Sequence, residues 1–217
     1  MSVKVNVYVD GFNLYYRALK SQRAADGSLL KWLDLNKLVS ALLPAYTIGR
    51  IRYFTAQVIA LPSDPDAPQR QQIYFRALRT LPNVSIHLGY FSATKKWARL
   101  VTPLPDGTKT VQVHKTEEKG SDVNLASYLL LDGFNNDYDE AAVITNDSDL
   151  VEPIRIVRDS LKKPVLVLEP RSDGRRSKEL KDVSTNQKPI RVGVLSASQF
   201  PPTLTDAVGT FRKPPSW

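Results

Sequence analysis

Apolar residues occupy alternate positions through Val3, Val5, Val7 and Val9, with Lys4, Asn6 and Tyr8 between them. Period two and a richness in valine predict a strand over 3–9, ended by Asp10 and Gly11. The period then changes. FNLYYRALK carries apolar residues at helical spacing, and Asp34 stands where an N-cap would open a second helix, LNKLVSALL, closed by Pro44. The β-branched and aromatic run TIGRIRYFTAQVIA predicts a second strand over 47–60. A proline-rich loop, a helix over 69–81 and a third strand, VSIHLGYF, follow.

Two β-prone runs joined by Pro105-Asp106-Gly107 predict a hairpin inserted over about 92–115. Ser121 or Asp122 can cap a helix reaching Phe134. EAAVIT from Glu140 is a short apolar run of the kind that parallel sheets bury. Asn146, Asp147, Ser148 and Asp149 open a helix that Pro164 ends, and VLVLE is the last strong strand. Beyond Pro170 the chain turns basic and polar; IRVGVLSASQF is expected to dock on the domain, and 201–217 to be a loosely held tail. Alternating strands and helices predict an α/β domain over 1–170, with 171–217 as a basic extension and tail packed on the same domain.

In such a sheet the carboxyl ends of the strands form the rim where ligands bind. Asp10 and Asp147 each end a strand, and Asp122 starts a helix running antiparallel to the strands, so all three face that rim, with Asp149 beside them. Each has a local explanation as a turn residue or cap, worth about 1 kcal/mol. Yet one helix needs one cap, and Asn146 to Asp149 supply four candidates. Two unit charges 4 Å apart repel by roughly 1 kcal/mol in water and about 4 kcal/mol at an effective dielectric of 20. Converging carboxylates therefore call for a cation; otherwise the aspartates are dispersed.

Composition narrows the cation. The 217 residues include no cysteine and only His87 and His114, so disulfides, thiolate chemistry and thiolate-bound metals are excluded and any metal is held mainly by oxygen. That favours Mg²⁺ or Mn²⁺. A net charge of +8 and a pI near 9.6 point to a polyanion as partner. Lys95, Lys96, Arg99, Lys109 and Lys115 surround Trp97 in the hairpin. This composition suits single-stranded nucleic acid, although lysines that shield an exposed sheet edge would read the same. Arg171, Arg175, Arg176, Lys178 and Lys181 follow the last strand, either as further phosphate contacts or as a solvated loop. There is no GxxxxGK[ST] loop, no GxGxxG and no GxSxG elbow, which removes support for nucleotide cofactors and serine triads. Neither a signal peptide core nor a membrane-length apolar run is present, so a soluble cytoplasmic protein is expected.

Three segments together resemble a known family. Asp10-Gly11-Phe12-Asn13, Lys119-Gly120-Ser121-Asp122-Val123 and Thr145-Asn146-Asp147-Ser148-Asp149-Leu150 resemble the signatures of the NYN domain, a branch of the PIN-like nucleases that includes LabA-like bacterial proteins. The resemblance implies a PIN-like three-layer fold with a central parallel sheet in the order 3-2-1-4-5. It also implies a metal-dependent ribonuclease site in which Asp10, Asp122, Asp147 and Asp149 hold one or two Mg²⁺ or Mn²⁺ ions. By the same likeness Asn13 orients a ligand or phosphate, Lys119 neutralises phosphate charge, and Thr145, Asn146 and Ser148 support the site or contact phosphate. Many relatives carry another acid where this chain has Tyr128. The Glu117-Glu118 pair could contribute in its place, although two glutamates in a polar loop are more often just solvated. The expectation is thus an endoribonuclease acting on RNA, with an RNA-binding adaptor of little turnover and a small-substrate phosphatase as alternatives.

Overall fold

In the computed structural model, which describes residues 2–170 and 177–217, the chain forms a seven-stranded sheet with helices on both faces. The strands are β1 (Lys4–Asp10), β2 (Thr47–Ala56), β3 (Val84–Arg99), β4 (Thr110–Lys119), β5 (Glu140–Ile144), β6 (Val165–Glu169) and β7 (Asn186–Pro189). Their order is β4-β3-β2-β1-β5-β6-β7; every pair is parallel except β3 with β4.

Strand parity explains the three layers. Val5, Val7 and Val9 point to one face, where they meet α2 (Leu35–Leu42), α3 (Ala67–Leu78) and the fully buried Trp32. Tyr8 points to the other, with Phe54, Val143 and Val167, against α4 (Ser121–Phe134) and α5 (Val151–Asp159). Because both faces are covered, β5 and β6 are continuous apolar runs rather than alternating ones. By parity Asp10 shares the α4 side with Tyr8.

Differences from the sequence reading have local causes. The hairpin's first arm is not a separate strand: β3 runs 16 residues from the parallel sheet straight into the antiparallel ribbon with β4. After α6 (Lys178–Val183), polar NQKP adds β7 to the sheet edge, where only one neighbour, β6, constrains it. Residues 190–200 carry α7 (Val192–Ala197), whose Leu195 enters the core. The tail is not loosely held. It folds into β8 (Thr203–Asp206) and β9 (Gly209–Arg212); Arg76 makes two bonds of 2.7 Å to Asp206 and lies over the Phe211 ring, and Trp217 packs on Trp32 and Tyr74. An ion pair in fork geometry and two large aromatics supply the free energy that the polar text conceals. Among the described residues no helix is long and apolar enough to cross a membrane.

Candidate active site

β1 ends at Asp10, and the chain turns at once into a short helix, α1 (Gly11–Leu14). Gly11 permits the turn, since a Cβ there would stand 2.7 Å from both the Phe54 carbonyl oxygen and the Tyr53 ring. Asp10 Oδ1 accepts the Asn13 N–H over 2.9 Å, so the residue is a true cap. Its second oxygen accepts the Thr145 hydroxyl at 3.0 Å. A π-helical turn, Tyr15–Leu19, continues α1. Such turns recur at functional sites, and this one carries Tyr16 and Arg17, both of which line the pocket described below.

β5 lies beside β1, and the segment after it mirrors this geometry. Asn146 N–H donates to Asn13 Oδ1 at 3.1 Å, Asp147 N–H to Thr145 Oγ1 at 3.0 Å, and Asp149 N–H to Asp147 Oδ1 at 3.0 Å. Asp147 thereby caps the 3₁₀ turn Ser148–Leu150 that leads into α5. Asn146 Oδ1 in turn accepts the Ser177 N–H at 3.3 Å. Asn13 and Asn146 are thus occupied in fixing the backbone of the rim.

The third acid enters from α4. Neither Ser121 nor Asp122 caps that helix. Gly120 takes φ +94°, which favours glycine, and the Glu118 carboxylate accepts the Ser121 N–H at 3.1 Å. Asp122 is left in the first turn, half-buried and free of capping duty.

These pieces enclose a pocket of about 350 Å³. Its acidic lining is Asp10, Glu118, Asp122 and Asp147; Phe12, Asn13, Tyr16, Arg17 and Ser121 complete it. Phe12 stacks with Tyr16 at 6.3 Å and meets Phe91 edge-on at 5.8 Å, giving the pocket an aromatic side. Burial pushes the Asp10 carboxyl up to about 7; Asp122 and Asp147 raise it further, while bonds from Asn13 and Thr145 oppose the rise. Burial also pushes Asp122 up to about 6, helped by Asp147, Glu118 and Asp149. Repulsion among carboxylates is therefore present at the rim, as the charge argument requires.

The remaining site residues are placed differently. Asp149 and Ser148 are exposed and do not line the pocket, although Asp149 still acts on Asp122 through its charge. Thr145 lies fully buried behind Asp10. Lys119 projects away from the pocket, because it alternates with Glu118 along β4, and it pairs with Glu117 at 3.4 Å. Tyr128 occupies no part of the pocket: it covers Arg52 at 4.5 Å and packs at a tilt on the His87 ring at 4.3 Å, on the α4 side. Glu118 is the acid that sequence reasoning left among solvated loop residues. The signal that could have found it is the glycine that follows Lys119, which forces a tight elbow from strand to helix. Arg171, Arg175 and Arg176 lie outside the described residues.

Among the described residues no three acidic or histidine side chains converge closely enough to enclose an ion. The donor chemistry nonetheless fits a hard cation. Mg²⁺ typically takes one or two carboxylates and leaves its other positions to water and substrate phosphate, and pairs drawn from Asp10, Asp122, Asp147 and Glu118 are present.

A protein of unknown function from Vibrio parahaemolyticus RIMD 2210633, solved as a crystal structure, superimposes with a TM-score of 0.54 at 16% identity, covering 88% of this chain and 94% of that one. The 6-hydroxy-3-succinoylpyridine 3-monooxygenase HspA of Pseudomonas putida (strain DSM 28022 / S16) is 31% identical over 242 aligned positions, spanning 99% of this chain and 75% of that protein. The model of the NYN domain matches residues 4–192, which include all three acidic segments. The chain belongs to the NYN domain family.

Proposed function

We propose that the protein is a divalent-metal-dependent ribonuclease that hydrolyses phosphodiester bonds of RNA internally. The observation carrying this reading is a pocket lined together by Asp10, Glu118, Asp122 and Asp147, in which Asp10 and Asp122 are pushed up to about 7 and 6. A protein of charge +8 that collects carboxylates in one place favours a ligand that is both anionic and accompanied by cations.

A pair drawn from Asp10, Asp122, Asp147 and Glu118 would hold the cation, leaving its other positions to water and substrate phosphate. The chemistry that a bound Mg²⁺ or Mn²⁺ supplies is neutralisation of charge on the phosphate and activation of the attacking water. The chain's own residues orient and insulate. Thr145 and the Asn13 N–H hold both oxygens of Asp10; Arg17, on the pocket wall, offers a fork of donors to a phosphate. Phe12 and Tyr16 offer a flat apolar surface to a base or sugar.

Incubation of unstructured and structured RNA with Mn²⁺ tests the proposal. Cleavage by the wild type is expected to fall at least a hundredfold in Asp147→Asn, and equal cleavage by both proteins would sink it. Micromolar Mn²⁺ binding without turnover would instead indicate an RNA-binding adaptor.

A second reading rests on the 31% identity across nearly the whole chain and on the aromatic lining. The Pseudomonas relative is named for oxidising a substituted pyridine, and a pocket walled by Phe12 and Tyr16 with Arg17, Phe91 backing Phe12, suits a flat ring bearing an acid. Oxygen uptake with a hydroxypyridine substrate and an added reductant, in parallel with the RNA assay, separates the two.

A further inference from the structure

The ribbon of β3 and β4 projects beyond the parallel sheet, and its register sorts its charges into two faces. Directly opposed residues of an antiparallel pair share a face, and neighbours along one strand alternate. Phe91 opposes Glu118, and both turn toward the pocket, Phe91 against Phe12 and Glu118 as part of the lining. Continuing outward by twos, the same face carries Lys95 opposite His114, then Trp97 opposite Gln112, then Arg99.

The other face carries Tyr90 opposite Lys119, Glu117, Lys115 and Lys96. There the charge is already spent internally. Glu117 bonds to Lys115 and lies 3.7 Å from Lys96 and 3.4 Å from Lys119, and these lysines hold its carboxyl down to about 2. On the pocket face, by contrast, neither Lys95 nor Arg99 forms an ion pair among the described residues, and Trp97 is 71% exposed with no aromatic neighbour. An exposed tryptophan between two unpaired cations has an unfavourable contact with water and no internal partner, which a stacking base and flanking phosphates would remedy.

We infer that the pocket face of the β3–β4 ribbon, through Lys95, Trp97 and Arg99, is a track that leads single-stranded RNA into the carboxylate pocket, whereas Lys96, Lys115 and Lys119 on the opposite face take no part. Phe91 and Trp97 are six residues apart, or about 20 Å along the strand, so an RNA seated on both is longer than one that fills the pocket alone. This rests on the ribonuclease reading for the identity of the ligand, but its test does not require cleavage.

Fluorescently labelled unstructured RNAs of about 3 and 12 nucleotides are titrated, in chelator, against the full chain and three variants. Lys95→Gln/Arg99→Gln and Lys96→Gln/Lys115→Gln remove the same charge from opposite faces; Trp97→Ala removes the stacking surface. All these side chains are exposed, so folding is spared. For the longer RNA, Lys95→Gln/Arg99→Gln is expected to weaken binding at least tenfold and to lower the salt slope by about 1.4, two single-strand phosphate contacts. Trp97→Ala is expected to weaken it at least fivefold. Lys96→Gln/Lys115→Gln should stay within twofold, and the short RNA should not distinguish the variants. Equal losses from both charge pairs, or none from Trp97→Ala, would overturn the track, as would full displacement of the RNA by polyglutamate with no dependence on Trp97. The ribonuclease reading fails separately. Face-dependent binding without metal-dependent cleavage discards it and keeps the track, whereas cleavage with face-independent binding discards only the track.

Discussion

The hydroxyl of Thr145 donates to Asp10 Oδ2 over 3.0 Å, and its own oxygen, Thr145 Oγ1, accepts the Asp147 backbone N–H at 3.0 Å. One buried side chain therefore sets the separation of two acids that arrive from strands β1 and β5. Thr145→Val keeps the shape and removes both bonds. It should cost about 1–3 kcal/mol of stability and lower Mn²⁺ affinity and RNA cleavage about tenfold or more. Thr145→Ser restores the hydroxyl and should recover affinity and cleavage to within twofold. Denaturant titration, metal titration and cleavage rates check the three quantities. A serine variant as impaired as the valine would refute the linking role.

The acidic pocket makes stability depend on pH in a definite direction. Asp10 is pushed up to about 7 and Asp122 to about 6, against an ordinary value of 3.8 for each. A carboxyl with a raised folded value holds its proton more tightly in the native state, so its contribution is fully present below the unfolded value and is lost as pH rises through the folded one. Without divalent cations, urea stability should thus fall between about pH 4 and pH 7. Asp10→Asn should flatten part of that fall and be more stable than the wild type at pH 7.5. Added Mn²⁺ should raise the wild-type Tm more at pH 7.5 than at pH 5, because protons compete for the same oxygens. Identical profiles for wild type and Asp10→Asn would contradict the buried-carboxylate account.

On the α4 side of the sheet, Arg52 makes a fork to Asp132 at 2.7 and 2.9 Å, and Tyr8 donates to Asp132 at 2.7 Å. Both charged side chains are nearly shielded from water, at 11% and 7% exposure. Removing one partner strands the other, so Asp132→Ala should destabilise the fold by about 3–5 kcal/mol. Replacing both, as Arg52→Met with Asp132→Leu, should cost clearly less than Asp132→Ala alone. A double-mutant cycle by urea denaturation gives the comparison. Additive costs would mean that the pair does not act as a unit.

Much of this molecule was legible one segment at a time. Period-two valines in β1, the unbroken apolar runs of β5 and β6, and the Asp34 cap, which accepts the Lys37 N–H at 3.0 Å, are all local preferences that the tertiary context reinforced. The surplus of acids after β5 was likewise legible. Asp147 does cap its turn, yet it also lines the pocket.

Positions whose role depends on a face or a distant partner were not legible in this way. Lys119 and Glu118 are adjacent in sequence, and only the pairing of β4 with β3 sends one into the lysine cluster and the other into the pocket. The tail reads as polar because Arg76, 130 residues before Asp206, is what holds it. Residue type, spacing and strand period determined that this chain would bring aspartates to the rim of a parallel sheet, since those depend on chemistry within a few residues. Which acids share the pocket, and which lysines remain free beside it, was decided by register and packing, because a one-residue difference along a strand reverses the side on which a charge stands.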